Sequence, residues 1–457
     1  MTFHVRALVA LFVLFVCFTA SAQQAPSGSN AANEMPSVTT VPPAARPSPN
    51  FNVDAATEAY LAQIPASARA RSDAYFEGGY WLVLWDFLYG SAICLLLLNL
   101  RWSAAMRNLA ERITRFQPLQ TFIYWAEYSV AVFMLGAPLA IYEGYTRERA
   151  YGLATQTFGP WAWDQTKGLM INIVLGGLLV MALFGIVRRL PRTWWLWGAV
   201  VTMLFLILTV LIGPVYLQPL FNKITRLNDP KITQPILGLA RANAIPARDV
   251  YQIDASKQTR RMSANVSGFG QTMRITMNDN LLRRGSPEEI KAVMGHEMGH
   301  YVLNHIYKDL LLFFPIVIVV GFGLLKWSLD WSLKRWGEKW QIRGISDIAI
   351  VPLVVLILSI LGFVMTPVFN TQTRTEEREA DMYGLNASRQ PDGVAQGAIH
   401  LGEYRKMRPG PIEEIIFYDH PSGYSRIHRA MQWKAENLQL FEGQPSQKNA
   451  ATGSAQP

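Results

Sequence analysis

Cysteine is nearly absent: Cys17 and Cys94 are the only two among 457 residues, and both lie in apolar stretches. Neither a disulfide framework nor a thiolate zinc site can be built from them, so any metal must be held by histidine and carboxylate. Charge is also scarce. Asp, Glu, Lys and Arg make up 16% of the chain, half the residues are apolar, and the mean hydropathy is +0.13. That excludes an ordinary soluble enzyme, while frequent polar interruptions exclude a simple anchor. An acidic excess is missing too, the net charge being +9. The basic residues fall in short clusters between apolar runs, where membrane topology accounts for them, so nucleic acid is not an expected partner.

Six stretches long enough to span a bilayer are present, at about 79–100, 119–142, 168–187, 194–217, 309–331 and 346–368. Arg101, Arg107, Arg112 and Arg115 fill the first connection, Arg188, Arg189 and Arg192 the third, and Lys334, Arg335, Lys339 and Arg343 the fifth. These loops should face the cytoplasm. The stretch 219–308 and everything after 369 then lie on the other side, which is the periplasm if the membrane is a bacterial inner membrane. Residues 1–22, with Arg6, an apolar run and Ala20-Ser21-Ala22, read as a secretory signal peptide, with an uncleaved first membrane helix as the competing reading. Residues 23–75 read as a disordered linker, rich in Pro, Ala, Ser and Asn to about Asn52, followed by short helices; 441–457 read as a disordered tail. Between these ends, 76–218 is a four-span region, 219–308 a catalytic domain, 309–368 two further spans, and 369–440 the rest of the catalytic domain.

The chemical signal is His296-Glu297-Met298-Gly299-His300. Histidines four apart on a helix point the same way and can grip one zinc ion. Ser286, Pro287 and Glu289 supply an N-cap, a first-turn proline and a capping-box acid, so a helix should start near Pro287. Zinc held by two His and a carboxylate leaves a fourth position for water and lowers its pKa; Glu297 is placed to take the proton and hand it to the leaving amine. The third ligand should come from the acid cluster Glu376, Glu377, Glu379 and Asp381 just beyond the last span, and spacing alone does not choose among the four. Glu377 and Asp381 are one helical turn apart, so one can ligate while the other buttresses a ligand histidine. Met273 to Met277 alternates like a strand. His4, His305, His400 and His428 receive no role; His305 lies at the wrong helical angle to join His296 and His300.

With its HExxH helix and a later Glu-x-x-Ala-Asp helix separated by two spans, the chain resembles the integral-membrane type 1 CAAX prenyl protease family over most of residues 76–435. The resemblance implies a mainly α polytopic bundle enclosing a chamber, with a small α+β zinc-metallopeptidase domain and one zinc ion per chain. It selects Glu377 as the third ligand beside His296 and His300, and matches Asp381 to the family's Asp. Arg374 matches its motif, with Thr373 standing for the usual Ser. It further implies that Asn265 and the strand-like Arg274 to Met277 hold the substrate backbone as an added strand, and that His420, before Pro421, steadies the tetrahedral oxyanion, with Arg426 completing that signature as a substrate-binding residue. The expected partners are membrane lipid and a peptide or protein substrate, lipidated or membrane-associated; in a bacterium, general proteolysis or quality control is the expected role. A short heat-shock type membrane metallopeptidase shares the zinc motifs but has fewer spans. The reading from a different class is a transporter or receptor with a fortuitous HExxH.

Overall fold

The computed structural model describes residues 39–268 and 273–441. The expected signal peptide, the first part of the linker and the C-terminal tail lie outside the described residues. Six described helices are long and apolar enough to cross a membrane: Ala66–Asn99, Gln117–Ala150, Phe158–Arg189, Trp194–Leu220, Pro287–Trp336 and Ile348–Ser388. Each overlaps one expected apolar stretch, and several run well past it; Pro287–Trp336 does so across a break at Leu303–Asn304. The α-helix of the sixth of these, Val351–Ser388, keeps going through Pro367 and ends only where Arg389 turns left-handed (φ 53°) ahead of Pro391. At about 1.5 Å per residue it is nearly twice as long as a bilayer core is thick.

The bundle is packed unevenly along its length. One apolar core lies at the basic pole, where Leu97, Leu98, Tyr124, Phe184, Trp194, Leu329, Trp340 and Ile350 meet. Arg107 reaches Asp347 there at 2.5 Å, and Asp347 also accepts from the backbone N–H groups of Arg343 and Ala349. This ties the first basic connection to the fifth, as their shared side of the membrane requires. Two more cores lie at the opposite pole. Burial differs from span to span: 39% of the most apolar window of the sixth span and 28% of that of the first are buried inside the protein, against 6% in the fifth and none in the fourth.

Residues from Thr39 onward are not disordered linker, as expected to about Asn52, but part of the packed structure. Ala45 is fully buried, and Asn52 caps helix α1 (Val53–Leu61) by accepting from Ala55 N. Ala56, Tyr60 and Leu61 pack with Ile399, Ile427, Ala430 and Met431 from the far end of the chain. The buried Lys434 ammonium binds Asp392 at 2.6 Å and the Ala45 carbonyl at 2.7 Å, and Tyr60 donates to Asp392 at 2.7 Å. The apolar and polar partners are both more than 300 residues away, so the local composition hides them. A short helix after Asn52 is thus present as α1, and Pro65 separates it from the helix that opens the first span at Ala66.

The extramembrane segment after the fourth span adds a four-stranded sheet in the order β1 (Ile224–Arg226), β2 (Val250–Ile253), β4 (Arg274–Asn278), β3 (Ala264–Ser267). β2 and β4 are parallel and the outer pairs antiparallel. The expected strand near Met273 is β4, in the interior of the sheet; β1 and β3 are its edges. Beneath the sheet, Ile275 and Met277 pack on Met294 and Met298 of helix α2 (Pro287–Val302).

Candidate metal centre

Helix α2 begins as its sequence dictates: Ser286 Oγ accepts from Glu289 N, and Glu289 Oε2 accepts from Ser286 N at 2.7 Å. This places His296 and His300 one turn apart, three turns in, with their Nε2 atoms 3.2 Å apart. Helix α3 (Val351–Ser388) crosses α2 at unusually short range because glycines line the crossing. A Cβ on Gly384 would fall 2.7 Å from His296 N, one on Gly295 3.0 Å from Gly384 O, and one on Gly299 3.1 Å from Ala380 Cα. The glycine inside the HExxH pentapeptide thus lets the second helix approach closely enough for its carboxylate to reach the histidines.

That carboxylate is Glu377, whose Oε2 is 3.2 Å from His296 Nε2 and whose Oε1 is 3.3 Å from His300 Nε2. Among the described residues, His296, His300 and Glu377 form the one cluster of three such donors, with ligand atoms within 4.8 Å of one another. The donor set fits a divalent cation of the zinc type: two imidazole nitrogens and a carboxylate converge, and the buried Glu377 Oε2 makes no hydrogen bond. Burial pushes the Glu377 carboxyl up, but the two imidazoles outweigh it and hold the group far below its ordinary range.

Both ligand-type histidines are gripped from behind. Asp381, one turn beyond Glu377, meets His296 Nδ1 at 2.9 Å. It in turn accepts from Arg426 Nε at 3.0 and 3.1 Å, and Arg429 Nη1 stands 3.5 Å away. Arg426, expected at the substrate, is thus engaged with Asp381, while also bordering the cavity. On the other side His300 Nδ1 meets His305 Nδ1 at 2.9 Å. The helical-angle argument against His305 fails because the helix stops: Asn304 is left-handed (φ 60°), and the chain turns His305 back towards the site. An Asn just before a histidine is the one local signal of such a turn. His400, also given no role, pairs with Glu289 at 2.7 Å, both buried, which joins α2 to helix α4 (Pro391–Leu401).

Glu297, His296, Glu377, Asp381, Arg426 and His420 line one cavity of about 220 Å³. The Glu297 carboxyl is raised above its ordinary value by burial, opposed by His296 and His300, which suits a proton acceptor. His420 stands with Nε2 3.3 Å from Glu377 Oε1 and Nδ1 2.8 Å from Asp419. Its loop is held by Arg374, whose guanidinium donates to the carbonyls of Glu414 (2.8 Å) and Tyr418 (2.5 Å). Asn265 is not brought to this cluster. It lies on edge strand β3 opposite Thr276, while its neighbours Ser263 and Ala264 border the cavity. Tyr404 and Arg405 line the cavity as well, and no motif in the sequence singled them out.

Residues 226–434 match the family model described as Peptidase family M48, and residues 53–223 match one described as CAAX prenyl protease N-terminal, five membrane helices. Within that second stretch the structure has four helices of spanning length. The chain is 30% identical over 330 residues to the Bacillus subtilis protein named Uncharacterized metalloprotease YhfN, covering 72% of this chain and 77% of that one. It is 33% identical over 315 residues to CAAX prenyl protease 1 of Saccharomyces cerevisiae, covering 64% and 68%. The crystal structure of S. mikatae Ste24p shares the fold, with a TM-score of 0.68 over 79% of this chain and 88% of that one, at 23% identity.

Proposed function

This chain belongs to peptidase family M48, and from that premise we propose that it is a zinc endopeptidase with His296, His300 and Glu377 as the metal ligands and Glu297 as the general base. As a membrane metalloprotease it acts on peptide or protein substrates in a membrane setting. The family membership removes the transporter reading, since the HExxH motif here stands in a peptidase. The observation that carries the site assignment is the meeting of two Nε2 atoms and an unbonded Glu377 oxygen, with Glu297 in the same cavity.

His296, His300 and Glu377 would hold the zinc ion, whose chemistry there would be to polarise the scissile carbonyl and acidify the attacking water. Glu297, its carboxylate poised by burial, takes that water's proton and passes it to the leaving nitrogen. Asp381, itself held by Arg426, fixes the His296 ring so that Nε2 faces the cluster. His420 offers Nε2–H to the oxyanion that forms as the carbonyl becomes tetrahedral. The free edge of β3, carrying Asn265, accepts an extended substrate as a further strand, with Arg426 at the cavity wall beside it. A narrow cavity of this kind excludes folded domains, so the substrate enters unfolded or as an extended tail.

In this reading 76–218 and 309–368 form the membrane part, and 219–308 with 369–440 the catalytic domain, reinforced by the docked segment from Thr39. An interior chamber between the spans belongs to the same proposal, with the cavity beside Glu297 and Glu377 as its catalytic end. The basic pole faces the cytoplasm and the catalytic pole the periplasmic side of a bacterial inner membrane. There the substrates are membrane-associated polypeptides, lipidated or not; the basic residues serve topology rather than nucleic acid.

The test uses detergent-purified protein and a fluorogenic peptide. The wild type should carry about one zinc per chain and lose cleavage to a chelator; Glu297→Gln should keep the metal and lose roughly 10²- to 10⁴-fold in rate, whereas Glu377→Ala should lose both. A metal-free, inactive and well-folded wild type would overturn the reading.

A further inference from the structure

His300 has a partner on each ring nitrogen. Nε2 faces the cluster, 3.2 Å from His296 Nε2 and 3.3 Å from Glu377 Oε1, while Nδ1 meets His305 Nδ1 at 2.9 Å. His305 continues the contact outward: its Nε2 lies 3.1 Å from Glu379 Oε2, and Lys308 Nζ lies 3.3 Å from the same oxygen. His305 is buried, 3% of its side chain exposed, whereas the Glu379 side chain is 46% exposed. The row therefore runs from the cluster to the surface.

Proton bookkeeping along this row has one neutral solution. A carboxylate only accepts, so the hydrogen between His305 and Glu379 sits on His305 Nε2. A neutral imidazole carries a single ring proton, which leaves His305 Nδ1 with a lone pair. The hydrogen between the two imidazoles must then come from His300 Nδ1, and His300 Nε2 is left unprotonated, facing His296 and Glu377.

We propose that Glu379 and His305 form a positioning relay that sets the tautomer and ring orientation of His300, the outer counterpart of what Asp381 does for His296. The two arms differ in construction. His296 leans directly on a buried carboxylate backed by Arg426, while His300 leans on a second imidazole that carries the influence of a carboxylate at the surface. The left-handed Asn304 makes the second arm possible, by breaking the helix within one turn of His300 before it resumes at His305, so that the His305 ring meets the His300 ring edge to face, 76° apart, with centroids 5.0 Å apart. The inference rests on the zinc site proposed above, and it assigns work to two residues that touch neither metal nor substrate.

The experiment measures zinc affinity of the full-length protein in detergent by competition with a chromophoric chelator, together with kcat and KM for the peptide at saturating zinc. His305→Leu, which fills the space but offers no acceptor, should weaken zinc retention by roughly 10- to 100-fold. His305→Asn, whose Oδ1 stands near the place of Nδ1, should stay within about threefold of wild type. Glu379→Ala, at a half-exposed position whose loss leaves the fold intact, should fall between them. Saturating zinc should restore kcat in all three with KM unchanged. Wild-type zinc affinity in His305→Leu or in Glu379→Ala would overturn the relay, as would a fall in His305→Asn as deep as that in His305→Leu. A wild type that takes up no zinc at all would instead indict the site itself.

Discussion

Asp381 and Asp347 stand at opposite ends of the same bundle, and each is a buried aspartate paired to a buried arginine. Side-chain exposure is 4% for both acids, 12% for Arg426 and 5% for Arg107. Desolvating such a pair is repaid only if the remaining lone pairs are also satisfied, and the two sites satisfy them differently. Asp347 accepts from Arg343 N and Ala349 N, so its surplus capacity goes into folding a turn. Asp381 accepts from His296 Nδ1, so its surplus goes into orienting an imidazole. The same ion pair is scaffold at one pole and part of the proposed chemistry at the other, and what distinguishes them is the third partner.

Removing the acids one at a time separates these roles. Asp381→Ala should show the largest effect, because it strands Arg426 and frees His296 together: zinc affinity should fall by roughly 10- to 100-fold and stability by about 3–5 kcal/mol, read by chelator competition and thermal unfolding in detergent. Asp347→Ala should cost similar stability, about 3–5 kcal/mol, yet leave zinc affinity and kcat per folded molecule at the wild-type level. Equal loss of zinc in both variants would erase the distinction. The smallest effect is expected at a pair open to solvent, Lys406–Glu413, 2.9 Å apart, each side chain 20% exposed. Burial raises the Glu413 carboxyl, but Tyr80, Lys406 and the Gly410 N–H outweigh it and leave the group below its ordinary 4.5. A carboxyl depressed by folding stabilises above its unfolded pKa and loses that contribution as the pH falls through the folded one. Glu413→Gln should therefore lower the melting temperature slightly at pH 7, by an amount corresponding to about 1 kcal/mol or less, and the difference from wild type should shrink below about pH 4.5.

Local features of this fold were legible in the sequence, and features assembled from distant residues were not. The α2 start was readable because its cap, its proline and its acid are neighbours. All six spans were readable from apolar length, though not their polar extensions, since length sets only the minimum. Choosing Glu377 over Glu376, Glu379 and Asp381 needed the family pattern, because acids crowded into so short a stretch of helix cannot be ranked by spacing until the packing of that helix is known. The contact of His305 with His300 was not readable because a helix was continued past Asn304, where α2 breaks. Ala45 looked like linker because its partner Lys434 is contributed by the far end of the chain. Three of the four strands have three or four residues, too few for alternation to register.

Helix α3 is uninterrupted from Val351 to Ser388, so the Glu377 carboxylate and the last membrane span belong to one rigid rod. Nine residues separate Val368, at the end of the apolar stretch, from Glu377, a rise of about 13 Å along the axis. A polypeptide anchored in the bilayer would need about four extended residues to cover that standoff. Evolution cannot tune the distance residue by residue: one inserted between those positions would swing the carboxylate by about 100° and point it away from both histidines. The standoff can change only in steps of about a full helical turn, so the depth at which this site meets its substrate is quantised by the helix that carries it.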